Sequence, residues 1–300
     1  MCDTAEEPDG IYRRPLPASC TGLASSAGQE IFTRALASGH CRAFFSLVSC
    51  ADTQTEPAFC SLSSLASALN ALGIDPMRTS LGPWRWFRDV SFTCCLDLDY
   101  VRQHGVTVLE AASIARCNGA STKMRRAQLH CASGEHAEVE NSFGNKNACC
   151  YALIAIRRVA TDEENSVALQ EGWHSIGGSG SLDEFRNDVI AACTTLHSDK
   201  DGTPQSIVIA SYSRKALDQS GDGHFSPIGA YDEATDQVLI VDSAKMKYAP
   251  HWASLVTIFN GMKYIDSSTG KPRGWIRVQQ QQQQQNAVSR KCCMSKESKA

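Results

Sequence analysis

The sequence predicts an α+β fold in which a helical half precedes an antiparallel-sheet half. Apolar residues recur at helical spacing between residues 11 and 119, whereas three runs of strand-forming residues follow after residue 206. At 300 residues and 42% hydrophobic content the chain can bury a substantial core, which suits one large domain with an appendage.

Taken in order, residues 1–10 are acidic at their start and read as a flexible N-terminus, and residues 11–278 as the folded domain. Between Ser25 and Ser38, Ile31, Phe32, Ala35 and Leu36 share one helical face, and Gly39 supplies a C-terminal stop. A second helix opens at Cys60, just after Pro57, and carries Leu62, Leu65, Ala66, Leu69 and Leu72 to its end at Gly73. Gly82-Pro83-Trp84-Arg85-Trp86-Phe87 is an aromatic loop, and the size of its tryptophans favours a core anchor over ligand stacking. Residues 121–182 change character, with charge clusters and a Gly/Ser tract, and read as an insertion on the surface. Within it, residues 151–156 fit either a strand or a helix. Ser181 and Glu184 form a capping box that starts another helix.

The strand runs are residues 207–212, 224–231 and 237–241. The link Asp232-Glu233-Ala234-Thr235-Asp236 makes the last two a hairpin, with His224 and Asp242 both at its open end. Seven glutamines at 279–285 open a low-complexity, disordered tail that runs to residue 300.

A net charge of −3 and a pI near 6.2 leave a phosphate backbone without electrostatic support, so nucleic acid is excluded as a partner. The N-terminus lacks the cationic and apolar regions of a signal peptide, and the best apolar stretch, 148–156, is about half of the roughly 18 residues a membrane span needs. The expectation is a cytoplasmic protein with reduced thiols. Its 14 cysteines include the pairs Cys94-Cys95, Cys149-Cys150 and Cys292-Cys293, and none is spaced as Cys-x-x-Cys. Most read as small buried hydrophobes, although adjacent thiolates can capture soft metals.

Cys60 stands apart, because a thiol at a helix N-terminus meets the positive end of the helix dipole and is pushed toward thiolate. With His224 and Asp242 downstream, the chain holds a nucleophile, a base and an orienting carboxylate.

Around these residues the sequence closely resembles the catalytic domain of the phytochelatin synthases, glutathione gamma-glutamylcysteinyltransferases of the papain-like cysteine peptidase superfamily. The resemblance rests on Arg14-Pro15-Leu16-Pro17-Ala18-Ser19-Cys20-Thr21-Gly22, Gln54-Thr55-Glu56-Pro57-Ala58-Phe59-Cys60, the aromatic loop, Cys117-Asn118-Gly119-Ala120, residues 223–229 and Lys247-Tyr248-Ala249-Pro250-His251-Trp252. It implies a papain-like layout, with a helical half bearing Cys60 against a sheet half bearing His224 and Asp242. It also implies that Gln54 donates to the oxyanion beside the Cys60 backbone N–H.

The implied reaction joins a gamma-glutamylcysteinyl unit from one glutathione, held as a Cys60 thioester, to the amine of a second. Glutathione is thus donor and acceptor. Thiolate metals (Cd, Zn, Cu) enter as activators or within metal-bridged glutathione, and no organic cofactor is implied. Lys245 stands where the family usually has an arginine, and with Arg85 it is a candidate for binding substrate carboxylates. Cys94, Cys95 and Cys117 match family cysteines and are the candidate metal ligands, while Ser113 and Arg116 replace a Cys and a His often found nearby. The family's long cysteine-scattered C-terminal region is reduced here to the glutamine tract and Cys292-Cys293, which implies weaker metal sensing. Members of the family often pair as homodimers. Two rival readings are a glutathione or glutathione-conjugate peptidase on the same scaffold and a non-catalytic thiol metal sink.

Overall fold

A computed structural model describes residues 12–93, 95–129, 178–194 and 203–280. The architecture is α+β. Eight strands form one sheet in the order β1-β7-β6-β5-β4-β10-β2-β3, antiparallel except for the final β2–β3 pair. These are β1 (Cys20–Gly22), β2 (Ala120–Ala127), β3 (Ser179–Gly180), β4 (Ser206–Ser213), β5 (Gly223–Asp232), β6 (Gln237–Ile240), β7 (His251–Ser254) and β10 (Gly274–Gln280). β8 (Ile265–Asp266) and β9 (Lys271–Pro272) pair separately.

The helices among the described residues are α1 (Ser26–Ala37), α2 (Arg42–Cys50), α3 (Cys60–Ala71), α4 (Leu98–His104), α5 (Val108–Cys117), α6 (Leu182–Cys193) and α7 (Leu255–Met262). α2 and α3 pack on each other and on β5, α5 packs on β2, and α6 and α7 pack on β4. None is long and apolar enough to cross a membrane.

α3 decides where the site falls. Ten of its twelve residues are buried, including Ser61, Ser63, Ser64 and Ser67, so it is a central helix rather than an amphipathic surface one. Small serines let it lie close to its neighbours, and Ser64 Oγ donates to Phe225 O on β5 at 3.1 Å. Leu62, Leu65, Leu69 and Leu72 are fully buried, each contributing roughly 1.5–3 kcal/mol of transfer free energy. Helix starts follow the sequence: Ser25 caps α1, and Ser181 and Glu184 form the reciprocal pair at α6.

Four expectations need correction. Trp84 and Trp86 are 72% and 37% exposed, and Phe87, at 1%, is the anchor of its loop. A tight turn at Gly82 (φ +57°), closed by the Leu81–Trp84 bridge, swings the indoles outward while Asn70 holds the Phe87 backbone. Leu36 is 47% exposed, at the edge of its helical face. Residues 121–127, expected to begin the insertion, belong to β2 and pair with β10, which buries Met124 and Ala127 and leaves the charged side chains half-exposed. Gln279 and Gln280 extend β10 rather than opening the tail. Residues 151–156, Cys149-Cys150 and the remainder of the tail lie outside the described residues.

Candidate active site

Cys60 is the first residue of α3 and is half-buried. Burial pushes its thiol up, but the hydrogen bond and charge of His224, a bond to the Phe225 backbone and the Arg214 guanidinium outweigh that and hold it below the ordinary thiol value. His224, on β5, is 4% exposed, and its Nε2 lies 2.8 Å from Asp242 Oδ1. Burial lowers the imidazole pKa, and the Asp242 charge outweighs it, so the net shift is upward. Asp242 is fully buried and accepts the Ala244 N–H at 2.8 Å. Burial alone would raise its carboxyl, yet His224 and Arg214 hold it well below the usual range.

A one-residue irregularity makes this meeting happen. Near the hairpin turn Asp232 pairs with Gln237 and Ala230 with Leu239, but Ile228 pairs with Ile240 and Pro227 O accepts the Val241 N–H. In the turn's register Asp242 would face Pro227 and point away from His224. The shift at Gly229 puts Asp242 on the face of Ser226 and His224 instead, because a one-residue slip exchanges the faces of a strand. Gly229 also has Val241 against it, where a Cβ would sit only 2.9 Å from Val241 Cγ2.

Arg214, which the sequence reading did not single out, completes the cluster. It is 2% exposed, and its Nη2 lies 2.9 and 3.0 Å from the Asp242 oxygens and 2.9 Å from His224 Nε2. A guanidinium has only donors, so Asp242 takes its hydrogens and the Nε2–H of His224 together. That leaves Nδ1 for the Cys60 thiol. Tyr212 stands edge-on to the imidazole at 5.9 Å, and Arg214 lies over the Tyr248 ring.

Gln54 is 3% exposed and locked into the loop before Cys60. Its Oε1 accepts from Ser243 Oγ at 3.1 Å, its backbone N–H donates to Ser243 O, and its Nε2 donates to the carbonyls of Glu56 and Pro57, both at 2.9 Å. Both amide hydrogens are therefore spent within the loop, which differs from the oxyanion-donor role expected of it. Asp89 steadies the same loop by accepting from Thr55 N and Oγ1 at 2.7 and 2.8 Å.

The other sequence candidates do not converge on the thiol. Lys245 Nζ donates to Ala51 O at the end of α2, a placement the helix dipole favours, and burial lowers its pKa against the pull of Asp52. Arg85 pairs with Asp75 at the surface. Among the described residues no group of three or more His, Cys, Asp or Glu is arranged to hold a metal ion. Cys94 lies outside them, Cys95 is buried in the core where Asn118 donates to it at 3.5 Å, and Cys117 is half-buried at the end of α5. Beside them Arg116 donates to Ser113 Oγ and Thr122 Oγ1, and a guanidinium there repels a cation. Cys20, Cys41, Cys50, Cys60 and Cys193 are free thiols.

A buried Arg214, an unassigned His251 and a hydroxyl on Ser243 left no pattern that periodicity or spacing could detect. Arg214 opens a short 3-10 turn ten residues before His224, between two of the strand runs.

A thiol activated by an imidazole, itself backed by a buried carboxylate, is the arrangement of cysteine-nucleophile proteins that form and resolve acyl intermediates. The family model for phytochelatin synthase matches residues 11–275, and the chain belongs to the phytochelatin synthase family. It is 36% identical over 270 residues to glutathione gamma-glutamylcysteinyltransferase 1 of Lotus japonicus, covering 90% of this chain and 42% of that protein. Identity is 33% over 269 residues to the Schizosaccharomyces pombe glutathione gamma-glutamylcysteinyltransferase, covering 90% and 51% of the two chains. To glutathione gamma-glutamylcysteinyltransferase 1 of Arabidopsis thaliana it is again 33%, covering 89% and 44%. The chain thus spans about half the length of these relatives.

Proposed function

We propose that the chain transfers gamma-glutamylcysteinyl groups between glutathione molecules on a papain-like layout, making phytochelatins for heavy-metal detoxification. The contact that carries the reading is the His224 ring held between the Cys60 thiol and Asp242. The Cys60 thiolate attacks the Cys-Gly carbonyl of glutathione. As the C–N bond breaks, His224 gives its proton to the departing glycine amine and leaves a gamma-glutamylcysteinyl thioester. The amine of a second glutathione, or of a growing oligomer, then attacks, His224 takes its proton, and the Cys60 thiolate is released. Water at this second step yields gamma-glutamylcysteine instead.

The backbone N–H of Cys60 is the oxyanion donor in this scheme, and Gln54 joins it by exchanging its bond to Pro57 O for one to the oxyanion. Cd(II), Zn(II) or Cu(I) enters bridged between glutathione thiolates as part of the substrate, which requires neither a protein cage at Cys94, Cys95 and Cys117 nor an organic cofactor. Lys245, three residues after Asp242 and with its ammonium on Ala51 O, supplies charge for a substrate carboxylate by exchanging that contact, and Arg85 does so from the surface loop by leaving Asp75.

Incubation with glutathione and Cd(II), with products resolved by mass, tests the reading. Oligomers growing by gamma-glutamylcysteinyl units support it. Glycine and gamma-glutamylcysteine alone would replace it with the peptidase. Turnover that survives in Cys60→Ser with undiminished rate would remove the triad altogether.

A further inference from the structure

A second hydrogen-bond chain leads from the triad into the interior, and each of its links has a single polarity. His251, on β7, is fully buried, and its Nδ1 lies 2.8 Å from Ala249 O, an acceptor only, so Nδ1 carries the proton. Its Nε2 is then an acceptor and takes a hydrogen from Gln219 Nε2 at 3.0 Å. That orients the Gln219 amide, itself 4% exposed, so that Oε1 faces Arg214 Nη1, which donates to it. Arg214 Nη2 reaches Asp242. Reversing any one link would set two donors or two acceptors against each other in a buried place, at the cost of an unmade hydrogen bond.

We propose that Arg214, Gln219 and His251 are positioning residues for the acyl-transfer step: neutral His251 sets the Gln219 amide, Gln219 sets the guanidinium, and the guanidinium holds Asp242 against His224. The proposal rests on the reading of Cys60, His224 and Asp242 as the triad. At 2% exposure, with Asp242 and Gln219 already bonded to it, Arg214 is unsuited to clamping a substrate carboxylate. Its charge has a second effect. A cation beside the pair favours the thiolate of Cys60 and opposes the imidazolium of His224, which eases release of the proton to the leaving amine. The other groups facing this centre are Tyr212, Cys20, Asp218, Lys247 and Tyr248.

The test is glycine release from glutathione with Cd(II) by the full chain, measured as a pH–rate profile. Loss of the Gln219 acceptor in His251→Leu lowers kcat about tenfold with KM unchanged, and His251→Gln, which restores an acceptor, recovers most of it. Arg214→Met lowers kcat about 100-fold and, since a nearby cation lowers every neighbouring pKa, moves both limbs of the profile up by about one unit. An unmoved profile in Arg214→Met, or wild-type kcat in His251→Leu, overturns the proposal. Should Arg214→Met fail to fold, the His251→Leu and His251→Gln pair decides alone. Cys60→Ser at full activity is a separate failure, since it removes the triad itself.

Discussion

Two arginine–aspartate pairs have almost the same length and opposite consequences. Arg214 meets Asp242 at 2.9 Å with side chains 3% and 0% exposed, and Arg85 meets Asp75 at 3.0 Å with side chains 51% and 39% exposed. Water screens the second pair and solvates each partner when the contact opens, so it contributes little. Around the first pair Gln219, His224 and the Ala244 N–H stand in for the lost hydration, with the Tyr248 ring against the guanidinium. Removing one partner there strands a buried charge, which costs more than the pair ever contributes. Distance alone therefore does not rank these interactions; the surroundings do.

Breaking the buried pair gives the largest effect. Asp242→Asn removes the charge from between Arg214 and His224; turnover should fall by about 10³–10⁴-fold, and denaturant melts should show a loss of roughly 3–5 kcal/mol. A retained rate would show that Asp242 only shapes the strand end.

Gly229 tests whether register, rather than proximity, makes the buried pair. Gly229→Val forces a Cβ against Val241 and should cost about 1–3 kcal/mol by chemical melt. Its glycine-release kcat should fall more steeply than its melting midpoint, because Asp242 loses its face. Equal losses would argue against a special role for the bulge.

The pH dependence of stability distinguishes the partners within the buried pair. Asp242 has a depressed pKa, so its contribution is complete above the ordinary carboxylate range and is lost as pH falls through its folded value. His224 has a raised one, so its contribution is complete below the ordinary imidazole range and is lost as pH rises through its folded value. Thermal melts of the wild type should therefore weaken at both ends, and Asp242→Asn should flatten both. A variant curve parallel to the wild type would place the coupling elsewhere.

The smallest effect belongs to the exposed pair. Arg85→Ala should change stability by less than about 1 kcal/mol. If Arg85 binds substrate, KM for glutathione rises while the melt stays put; if it serves only Asp75, neither moves.

Much of the candidate site was legible because these residue types leave local traces. Cys60 after Pro57 at the head of an apolar helix, and His224 and Asp242 at the open end of a five-residue hairpin link, are patterns within a few tens of residues. The aromatic loop misled for the opposite reason. Trp84 has the size of a core residue, but a glycine turn with positive φ decides which way it points, and the buried anchor proved to be Phe87.

The sequence by itself determined the α+β order, the helix that carries the thiol, the hairpin that carries its partners and the family to which the chain belongs. These depend on periodicity, caps and motifs, which are short-range. Only the tertiary structure decided that Gly229 turns Asp242 toward His224, that Gln54 spends its amide on its own loop, and that Arg214, Gln219 and His251 are buried behind Asp242 and His224. Each of those depends on what surrounds a polar group once water has left, and a residue's neighbours across a sheet are not written beside it in the chain.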